Sequence, residues 1–306
     1  MQAARIHQFG PPEVIVIDDL VRPTPGAGEL LVRVIASGVG PWDALIREGK
    51  SKVSPPPPFT LGSDLSGIVE AVGPGIVEFK PGDAVYGVTN PQFCGANAEY
   101  AVASANMMAK KPQRLTHIEA ASVPVVAVTA WQMLFEYAHA VAGQRVLILG
   151  AAGNVGAYAV QFAISFGMRV IAAVGSPDID FVQGLGAEAF VDDRVSKFEE
   201  MPQVDVILDT VGGNLLERSL QTLKPKGTLV SVVSMAPLPQ RPDVQVIFFY
   251  AEVTTARLSL LTPLFEKARI LPRVGTVLPL SQIRSAHQML GGAPHQKGKI
   301  ALQVAT

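Results

Sequence analysis

The segment that most constrains the fold is a short aliphatic run that breaks into three closely spaced glycines. The run spans Val146 to Leu149, and Gly150, Gly153 and Gly156 follow it in the sequence GAAGNVG. A helix-forming stretch, residues 157–163, comes directly afterwards. This order predicts a strand, a tight turn and a helix whose first backbone N–H groups can hold a pyrophosphate. A turn without a ligand shows the same spacing, but the flanking strand and helix favour a nucleotide site.

Each glycine of this turn has a predicted role. Gly150 allows the turn itself, Gly153 lets the backbone approach the phosphates, and Gly156 lets the helix pack closely on the strand. The other members of the candidate cofactor-binding segment are Ala151, Ala152, Asn154 and Val155. The only role we predict for Asn154 is to cap the helix.

Length, charge and cysteine content bound the class of protein. A chain of 306 residues is long enough for two domains with sizeable cores. The formal net charge of -1 gives no electrostatic reason to bind nucleic acid or an anionic membrane. Cys94 is the single cysteine, which excludes an internal disulfide and a thiolate metal cluster. No apolar run reaches the ~18 residues of a membrane helix, and the N-terminus carries no signal-peptide core, so we expect a cytoplasmic protein.

Two kinds of secondary-structure pattern follow one another along the chain. Residues 1–122 contain short β-like runs separated by proline and glycine, which is typical of a small, strongly bent barrel. Residues 123–271 alternate strands and helices, a pattern that predicts a doubly wound parallel sheet of the Rossmann type. After residue 271 the β pattern returns, so we expect residues 272–306 to rejoin the first domain. The predicted fold class is therefore α/β, with a parallel-sheet domain at 123–271 and a bent β-barrel domain at 1–122 and 272–306.

The second strand of the predicted parallel sheet bears on the choice of cofactor. In dinucleotide-binding folds an acidic residue near the end of this strand holds the ribose of NAD. Here the strand ends at Val174 and is followed by Gly175 and Ser176, with no carboxylate at its tip. Small neutral residues leave room for a 2′-phosphate, which favours NADPH over NADH. Arg194 is the best candidate to pair with that phosphate, although an ordinary solvated arginine fits the sequence about equally well.

Four segments together resemble one enzyme family. Residues 150–161 resemble the nucleotide motif of the quinone oxidoreductase (zeta-crystallin-like) branch of medium-chain dehydrogenases/reductases, apart from Asn154, where glycine is usual. The remaining segments match motifs of the same superfamily in the same order, and they are Gly62–Val69, Phe79–Gly87 and Lys297–Leu302. The resemblance spans nearly the whole chain. It implies a bent GroES-like barrel and a Rossmann domain, with the active site in the cleft between them.

The resemblance also implies where a catalytic zinc would bind. Zinc-dependent members place a cysteine in the region that here reads Gly38 to Asp43, and a histidine–glutamate pair at the start of the motif that here reads Gly62-Ser63-Asp64. Neither region offers a cysteine or a histidine, and the four-cysteine structural zinc lobe is missing from the sequence. Catalytic zinc needs about three protein ligands from histidine, cysteine and carboxylates. We therefore predict a zinc-independent enzyme.

Further residues around the nicotinamide are implied by the same resemblance. It places Thr129 near the nicotinamide ribose, although a helix-interior hydroxyl bonded to its own turn is an open alternative. The other residues implied for the nicotinamide pocket are Val233, Ser234 and the strand Phe248-Phe249-Tyr250, and Val211 is a further candidate cofactor-binding residue. For the two phenylalanines, core packing is an equally good explanation.

The substrate side of the predicted site has no dedicated acid in the sequence. Relatives carry an asparagine in the cleft where this chain has Gly40, and Trp42 close by offers an apolar surface to a flat substrate. Tyr86 and Tyr250 are candidate proton donors. Protonation by solvent is the simpler alternative.

These features predict an NADPH-dependent reductase that transfers hydride to a quinone or an α,β-unsaturated carbonyl without a metal. Such acceptors spread the incoming charge over a conjugated system, so the protein needs to supply positioning and electrostatics. One alternative is a reductase of another activated alkene, such as an unsaturated acyl thioester or a haloacrylate. Another is a mainly non-catalytic NADPH-binding protein. The resemblance also implies a homodimer through an edge of the parallel sheet, and Val244 to Tyr250 is a strand that is apolar enough to need cover there.

Overall fold

The computed structural model describes residues 1–187, the backbone of 189–192, residue 198, and residues 201–233 and 241–305. The chain forms two compact units. The first unit comprises Met1–Val125 and Val253–Thr306, and the second comprises Val126–Glu252.

The described strands are, in chain order, β1 (Gln2–Ile6), β2 (Ile15–Asp19), β3 (Glu29–Val39), β4 (Phe59–Thr60), β5 (Asp64–Val72), β6 (Ala84–Val88), β7 (Tyr100–Ser104), β8 (Met108–Lys110), β9 (Arg145–Leu149), β10 (Arg169–Val174), β11 (Ala189–Asp192), β12 (Val204–Asp209), β13 (Leu223–Ser231), β14 (Gln245–Phe248), β15 (Val274–Pro279) and β16 (Lys299–Gln303).

The described α-helices are α1 (Pro41–Arg47), α2 (His117–Ala121), α3 (Pro124–Trp131), α4 (Asn154–Ser165), α5 (Ile179–Gly184), α6 (Gly213–Ser219), α7 (Thr255–Glu266) and α8 (Ile283–Leu290). A π-helix, Gln132–Tyr137, continues directly from α3. The two longest of these α-helices have 12 residues each. Within the described residues, no helix combines the length and apolar character needed to cross a membrane.

The long strand β3 lies at the centre of the first unit. It pairs antiparallel with β5, β7 and β16 in a sheet of order β15-β16-β3-β5-β6-β8, and a second small sheet has the order β2-β1-β4. The register between β3 and β5 shifts twice, and such bulges bend a strand. Alternate residues of β3, namely Leu30, Val32 and Val34, are fully buried in a core with Leu65 and Val85. The bulges explain how short strands curve around a core of this size.

Six parallel strands form the sheet of the second unit, in the order β11-β10-β9-β12-β13-β14. Leu147, Leu149 and Ile171, from β9 and β10, are buried in its core together with Ile207. The chain leaves β9 for β10 on one side and later for β12 on the other. The carboxyl end of β9 is therefore the switch point at which dinucleotides bind in such sheets. The predicted doubly wound parallel sheet is confirmed.

The boundaries of the units differ from the predicted domain boundaries at residues 122/123 and 271/272. The larger difference concerns α7, which belongs to the first unit rather than to the parallel-sheet unit. The Thr255 hydroxyl donates to the carbonyl oxygens of Ala105 (2.9 Å) and Met108 (2.7 Å). The Tyr86 hydroxyl donates to the carbonyl oxygen of Leu258 at 3.1 Å. These hydrogen bonds to barrel strands fix the helix there, so the chain crosses between units near Val253.

Candidate active site

The glycine turn after β9 has the geometry that a phosphate cradle requires. Gly150 has φ +76°, a conformation that favours glycine, and a Cβ there would lie 2.5 Å from the Thr210 hydroxyl oxygen. A Cβ on Gly156 would lie 2.1 Å from the carbonyl oxygen of Gly150. Neither position accepts a side chain without displacing backbone or Thr210. The predicted roles of Gly150 in the turn and of Gly156 in close packing agree with these contacts.

The helix α4 begins directly in this turn. Its N-cap is Gly153, which is exposed and makes no side-chain capping hydrogen bond. Asn154 is the first residue inside the helix rather than its cap, so the predicted capping role of Asn154 is wrong. Ala151 is buried, whereas Ala152, Asn154 and Val155 are half-buried. The N-cap position of α4 therefore presents backbone alone, and Asn154 is the polar side chain of the first helical turn.

The carboxyl end of β10 lies beside this turn. The backbone N–H groups of Gly150 and Ala151 donate to the carbonyl oxygen of Ala173, at 3.2 and 3.4 Å. Gly175 and exposed Ser176 follow the strand and begin a short 3-10 helix. The structure thus brings the glycine turn and the neutral strand end together, as the sequence predicts. Arg194, the predicted partner of a 2′-phosphate, lies outside the described residues.

A buried carboxylate organises the loop after β12. Asp209 is fully buried, and its Oδ1 accepts the backbone N–H groups of Val211 (3.0 Å) and Gly212 (2.8 Å). Its Oδ2 accepts the Ser231 hydroxyl at 2.6 Å. The sequence analysis missed Asp209. An acidic residue that closes an apolar strand and precedes a glycine pair is the signal that could have revealed it.

Two exposed valines stand at the same edge of the sheet. Val211 and Val233 are 47% and 48% exposed. A Cβ on Gly212 would lie 3.3 Å from a methyl group of Val233, so the loops after β12 and β13 touch. This pair forms an apolar surface beside the phosphate turn. Ser234, predicted for the same pocket, lies outside the described residues.

The aromatic residues predicted for the nicotinamide pocket differ in environment. Phe249 is buried and stacks on Tyr137 of the π-helix, with ring centroids 4.2 Å apart and an interplanar angle of 29°. This contact favours the core-packing interpretation of Phe249. Phe248 is half-buried and meets the exposed ring of Tyr250 edge-on at 5.1 Å. Thr129 is buried in α3, and its predicted contact with the cofactor stays a prediction.

The side chain of Tyr86 is not positioned to donate a proton to a substrate. Its side chain is fully buried, and its hydroxyl is within 3.1 Å of both the Leu258 carbonyl oxygen and the Thr262 hydroxyl. Burial raises the pKa of the phenol further above its ordinary value. A hydroxyl closed off from solvent and bound to α7 serves the packing of that helix. We therefore withdraw Tyr86 as a catalytic candidate, whereas Tyr250, at 66% exposed, stays one.

A second cluster surrounds Trp42 in the first unit. The indole N–H donates to the Ser63 hydroxyl at 2.9 Å, and the Lys299 ammonium lies 4.0 Å from the ring centroid. Lys299 also bonds Asp64 Oδ2 at 2.8 Å, and both side chains are buried. The other Asp64 oxygen accepts the backbone N–H of Val125. The two segments that the resemblance links to zinc ligands therefore meet at a hydrogen bond between Trp42 and Ser63.

Asp43 carries a perturbed carboxyl next to this cluster. Its Oδ2 accepts the Gly40 backbone N–H at 2.7 Å, while its buried Oδ1 has no hydrogen-bond partner. Burial raises the pKa of Asp43 to about 7, against the opposing attraction of Lys299. Within the described part of the chain, no group of three or more histidines, cysteines or carboxylates could hold a metal ion.

Comparison with known proteins places the chain in a family. Residues 26–113 match the family model of the alcohol dehydrogenase GroES-like domain, and residues 185–302 match that of zinc-binding dehydrogenases. The chain is 30% identical to a quinone oxidoreductase of Pongo abelii, over 99% of this chain and 97% of the relative.

Comparison with solved structures points to the same family. A quinone oxidoreductase from Coxiella burnetii superposes with a TM-score of 0.91 at 29% identity, covering 100% of this chain and 99% of that one. A mycobacterial protein solved in complex with NADPH superposes with a TM-score of 0.87 at 29% identity, covering 99% of this chain and 100% of that one. The fold and its motifs define a medium-chain dehydrogenase/reductase, as the sequence predicts. Within that superfamily the chain belongs to the quinone oxidoreductase family, and it is an oxidoreductase by class.

Proposed function

We propose that this protein is an NADPH-dependent reductase that transfers hydride to quinones or α,β-unsaturated carbonyl compounds without a metal ion. The observation that carries the proposal is the cradle at Gly150 and Gly156. Cβ atoms there would lie 2.5 and 2.1 Å from neighbouring protein atoms, so these two glycines permit the tight turn and the close packing of α4, and they leave Gly153 as bare backbone at the helix N-terminus, where a pyrophosphate needs close approach. Similarity to a mycobacterial protein solved with NADPH supports the choice of ligand.

The residues at this edge of the sheet fit a dinucleotide. The uncapped first turn of α4, next to Gly153, would hold the pyrophosphate through backbone N–H groups. Asp209 keeps the loop of Val211 and Gly212 in one conformation, and the exposed faces of Val211 and Val233 would contact the nicotinamide. When bound, NADPH supplies the hydride.

The choice of NADPH over NADH is supported by the end of β10. Gly175 and Ser176 bring no carboxylate to the position where one would hold a ribose 2′-hydroxyl, and a carboxylate there would repel a 2′-phosphate. We assign Arg194 to the 2′-phosphate. Bidentate pairing with phosphate is the interaction for which a guanidinium is suited.

On the acceptor side, this chain supplies apolar surface rather than a Lewis acid. A quinone or an enone spreads incoming charge over its conjugated system, so orientation of the acceptor against Trp42 is the main task of the protein on this side. The proton for the product comes from solvent or from Tyr250, a residue that is 66% exposed. We propose a homodimer that pairs through β14 in the cytoplasm.

A second candidate function is supported by a specific observation. Position 40 is a glycine, where the family resemblance implies an asparagine, so the polar contact to the substrate that the resemblance implies is missing. That loss favours a mainly non-catalytic NADPH-binding protein. Reduction of another activated alkene, such as an acyl thioester or a haloacrylate, would use the same residues as the proposed reaction.

Steady-state oxidation of NADPH with a panel of quinones, enones and acyl thioesters tests the proposal. We expect saturable turnover with quinones or enones above the protein-free rate. Gly156→Ala should lower kcat/KM by roughly a hundredfold, the cost of displacing a positioned site by about 1 Å. Gly184→Ala is the matched control, because a Cβ there meets no atom within 4 Å. Tight NADPH binding with only background rates for every acceptor would establish the non-catalytic alternative instead.

A further inference from the structure

Gly40 is a glycine for a reason other than backbone conformation. Its φ of −137° and ψ of 168° are extended and open to any residue. A Cβ at this position would instead lie 2.4, 2.5 and 2.6 Å from three ring carbons of Trp42. The indole of Trp42 therefore occupies the space into which a side chain at position 40 would project. The glycine at position 40 and the tryptophan at position 42 are therefore sterically coupled.

The Trp42 ring is held in one orientation from several sides. Its N–H donates to Ser63 at 2.9 Å, and the Lys299 ammonium lies over the ring at 4.0 Å. Lys299 is in turn fixed by its buried ion pair with Asp64. The edge of the ring rests on Gly40. A side chain fixed this way loses little further freedom when a ligand packs on it.

The ring is nevertheless not closed off. Trp42 is half-buried, so part of the indole stays reachable while its N–H and one face are satisfied inside the unit. A fixed, partly exposed aromatic surface favours flat conjugated ligands through offset stacking. A short linear enone has little planar area to stack. The two acceptor classes therefore differ in the area that they can bury against the Trp42 ring.

We propose that Gly40 and Trp42 act as one coupled pair that sets acceptor preference, with the indole occupying the space that a side chain at position 40 would take. The pair makes fused-ring aromatic quinones better acceptors than small linear enones. This inference rests on the proposed function, because it takes Trp42 as part of the acceptor site. Trp42 is a specificity-determining residue in this account, not a proton donor.

Kinetics with two acceptors test the preference. We compare kcat/KM for a naphthoquinone and for a linear aliphatic enone in the wild type, in Trp42→Phe and in the double variant Gly40→Asn/Trp42→Val. The quinone-to-enone ratio should fall roughly threefold to tenfold in the double variant, mostly through KM of the quinone, and less in Trp42→Phe. If Trp42 had only a structural role, its substitution would lower kcat/KM for both acceptors by the same factor. An unchanged quinone-to-enone ratio would therefore overturn the proposal.

Thermal unfolding tests the coupling without any turnover. Gly40→Asn alone should lower the Tm by a few degrees, because its Cβ collides with the ring. In the Trp42→Val background the same change should cost nothing or raise the Tm. An equal fall in both backgrounds would show that the two positions are not coupled.

Fluorescence separates failure of this inference from failure of the proposed function. The chain has two tryptophans, so Trp131→Phe leaves Trp42 as the only one. In that variant, loaded with NADP⁺, a naphthoquinone should quench the emission saturably, and the linear enone should not compete at equal concentration. Saturable quenching without turnover would reject the reductase and keep the binding preference. Absence of saturable quenching would reject the acceptor role of Trp42, whatever the rates.

Discussion

Asp209 illustrates how one side chain controls the shape of a loop in the candidate cofactor site. Three donors, the N–H groups of Val211 and Gly212 and the Ser231 hydroxyl, converge on its two oxygens. The bonds from Gly212 and Ser231 are buried, so these two donors would lose their partner without gaining water if the carboxylate were removed. The loop that carries the exposed Val211 therefore depends on a residue that touches no ligand itself.

Asp209→Ala should lower the free energy of unfolding by about 2–4 kcal/mol, the range for breaking a buried hydrogen-bond network. It should also raise KM for NADPH, because Val211 loses its fixed position. Asp209→Asn keeps one acceptor oxygen for the two N–H groups and should have a smaller effect on both quantities. Denaturant titration and initial-rate kinetics check these outcomes. An unchanged KM in a folded Asp209→Ala protein would contradict the role given to this loop.

The raised pKa of Asp43 predicts that the stability of the protein depends on pH. Its pKa is raised to about 7 in the folded protein, so between pH ~4 and ~7 the folded state binds a proton that the unfolded state has released. Across that window the contribution of Asp43 to stability falls as pH rises, by up to about 4 kcal/mol. Asp43→Asn can still accept the Gly40 N–H and should remove this decline. Unfolding free energies of both proteins at several pH values give the comparison, and parallel curves would contradict the assignment.

At the scale of elements, the placement of α7 is the main departure from the sequence prediction. The helix follows the parallel-sheet segment in the chain, yet its hydrogen bonds run to barrel strands, from Thr255 to Met108 of β8 and from Tyr86 of β6 to Leu258. Partners more than 140 positions apart in sequence leave no local pattern. Propensity and periodicity could place a helix here but not the unit on which it packs.

Tyr86→Phe tests that placement. Loss of the hydroxyl removes its contacts with the Leu258 carbonyl and Thr262, so unfolding free energy should fall by about 1 kcal/mol. The value of kcat should stay close to that of the wild type. A general acid would instead cost roughly 10²–10⁴ in rate when removed. A loss of that size with normal stability would restore Tyr86 as a proton donor.

The parts of the fold that the sequence predicts well are those with consistent local signals. The aliphatic run and glycines around Gly150 specify strand, turn and helix at once, and β9 begins one residue before the predicted start. The role of Gly40 was not predictable, because its cause is a ring two residues away that folds back over it. Asp209 was missed for a similar reason, since its Ser231 partner lies on another strand.

On the scale of the whole molecule, the parallel sheet ends at β14. This strand pairs with β13 on one side, and Val246 in it is 42% exposed. An apolar outer strand is a surface that a second copy can cover. We expect a homodimer in solution, and Val246→Lys should shift it to the monomer because a charge on an edge opposes strand pairing. Light scattering measures the mass, and a monomeric wild type or an unaffected variant would contradict the expected interface.

The central claim is that the cradle after β9 and the neutral end of β10 serve NADPH in a reduction that needs no metal. The most direct measurement is kcat/KM for NADPH and for NADH with one quinone acceptor, in buffer treated with a metal chelator. The account predicts saturable turnover that the chelator does not reduce, with NADPH preferred by roughly tenfold or more, about 1.4 kcal/mol of cofactor discrimination. Equal or better use of NADH, or loss of activity that zinc restores, would contradict it.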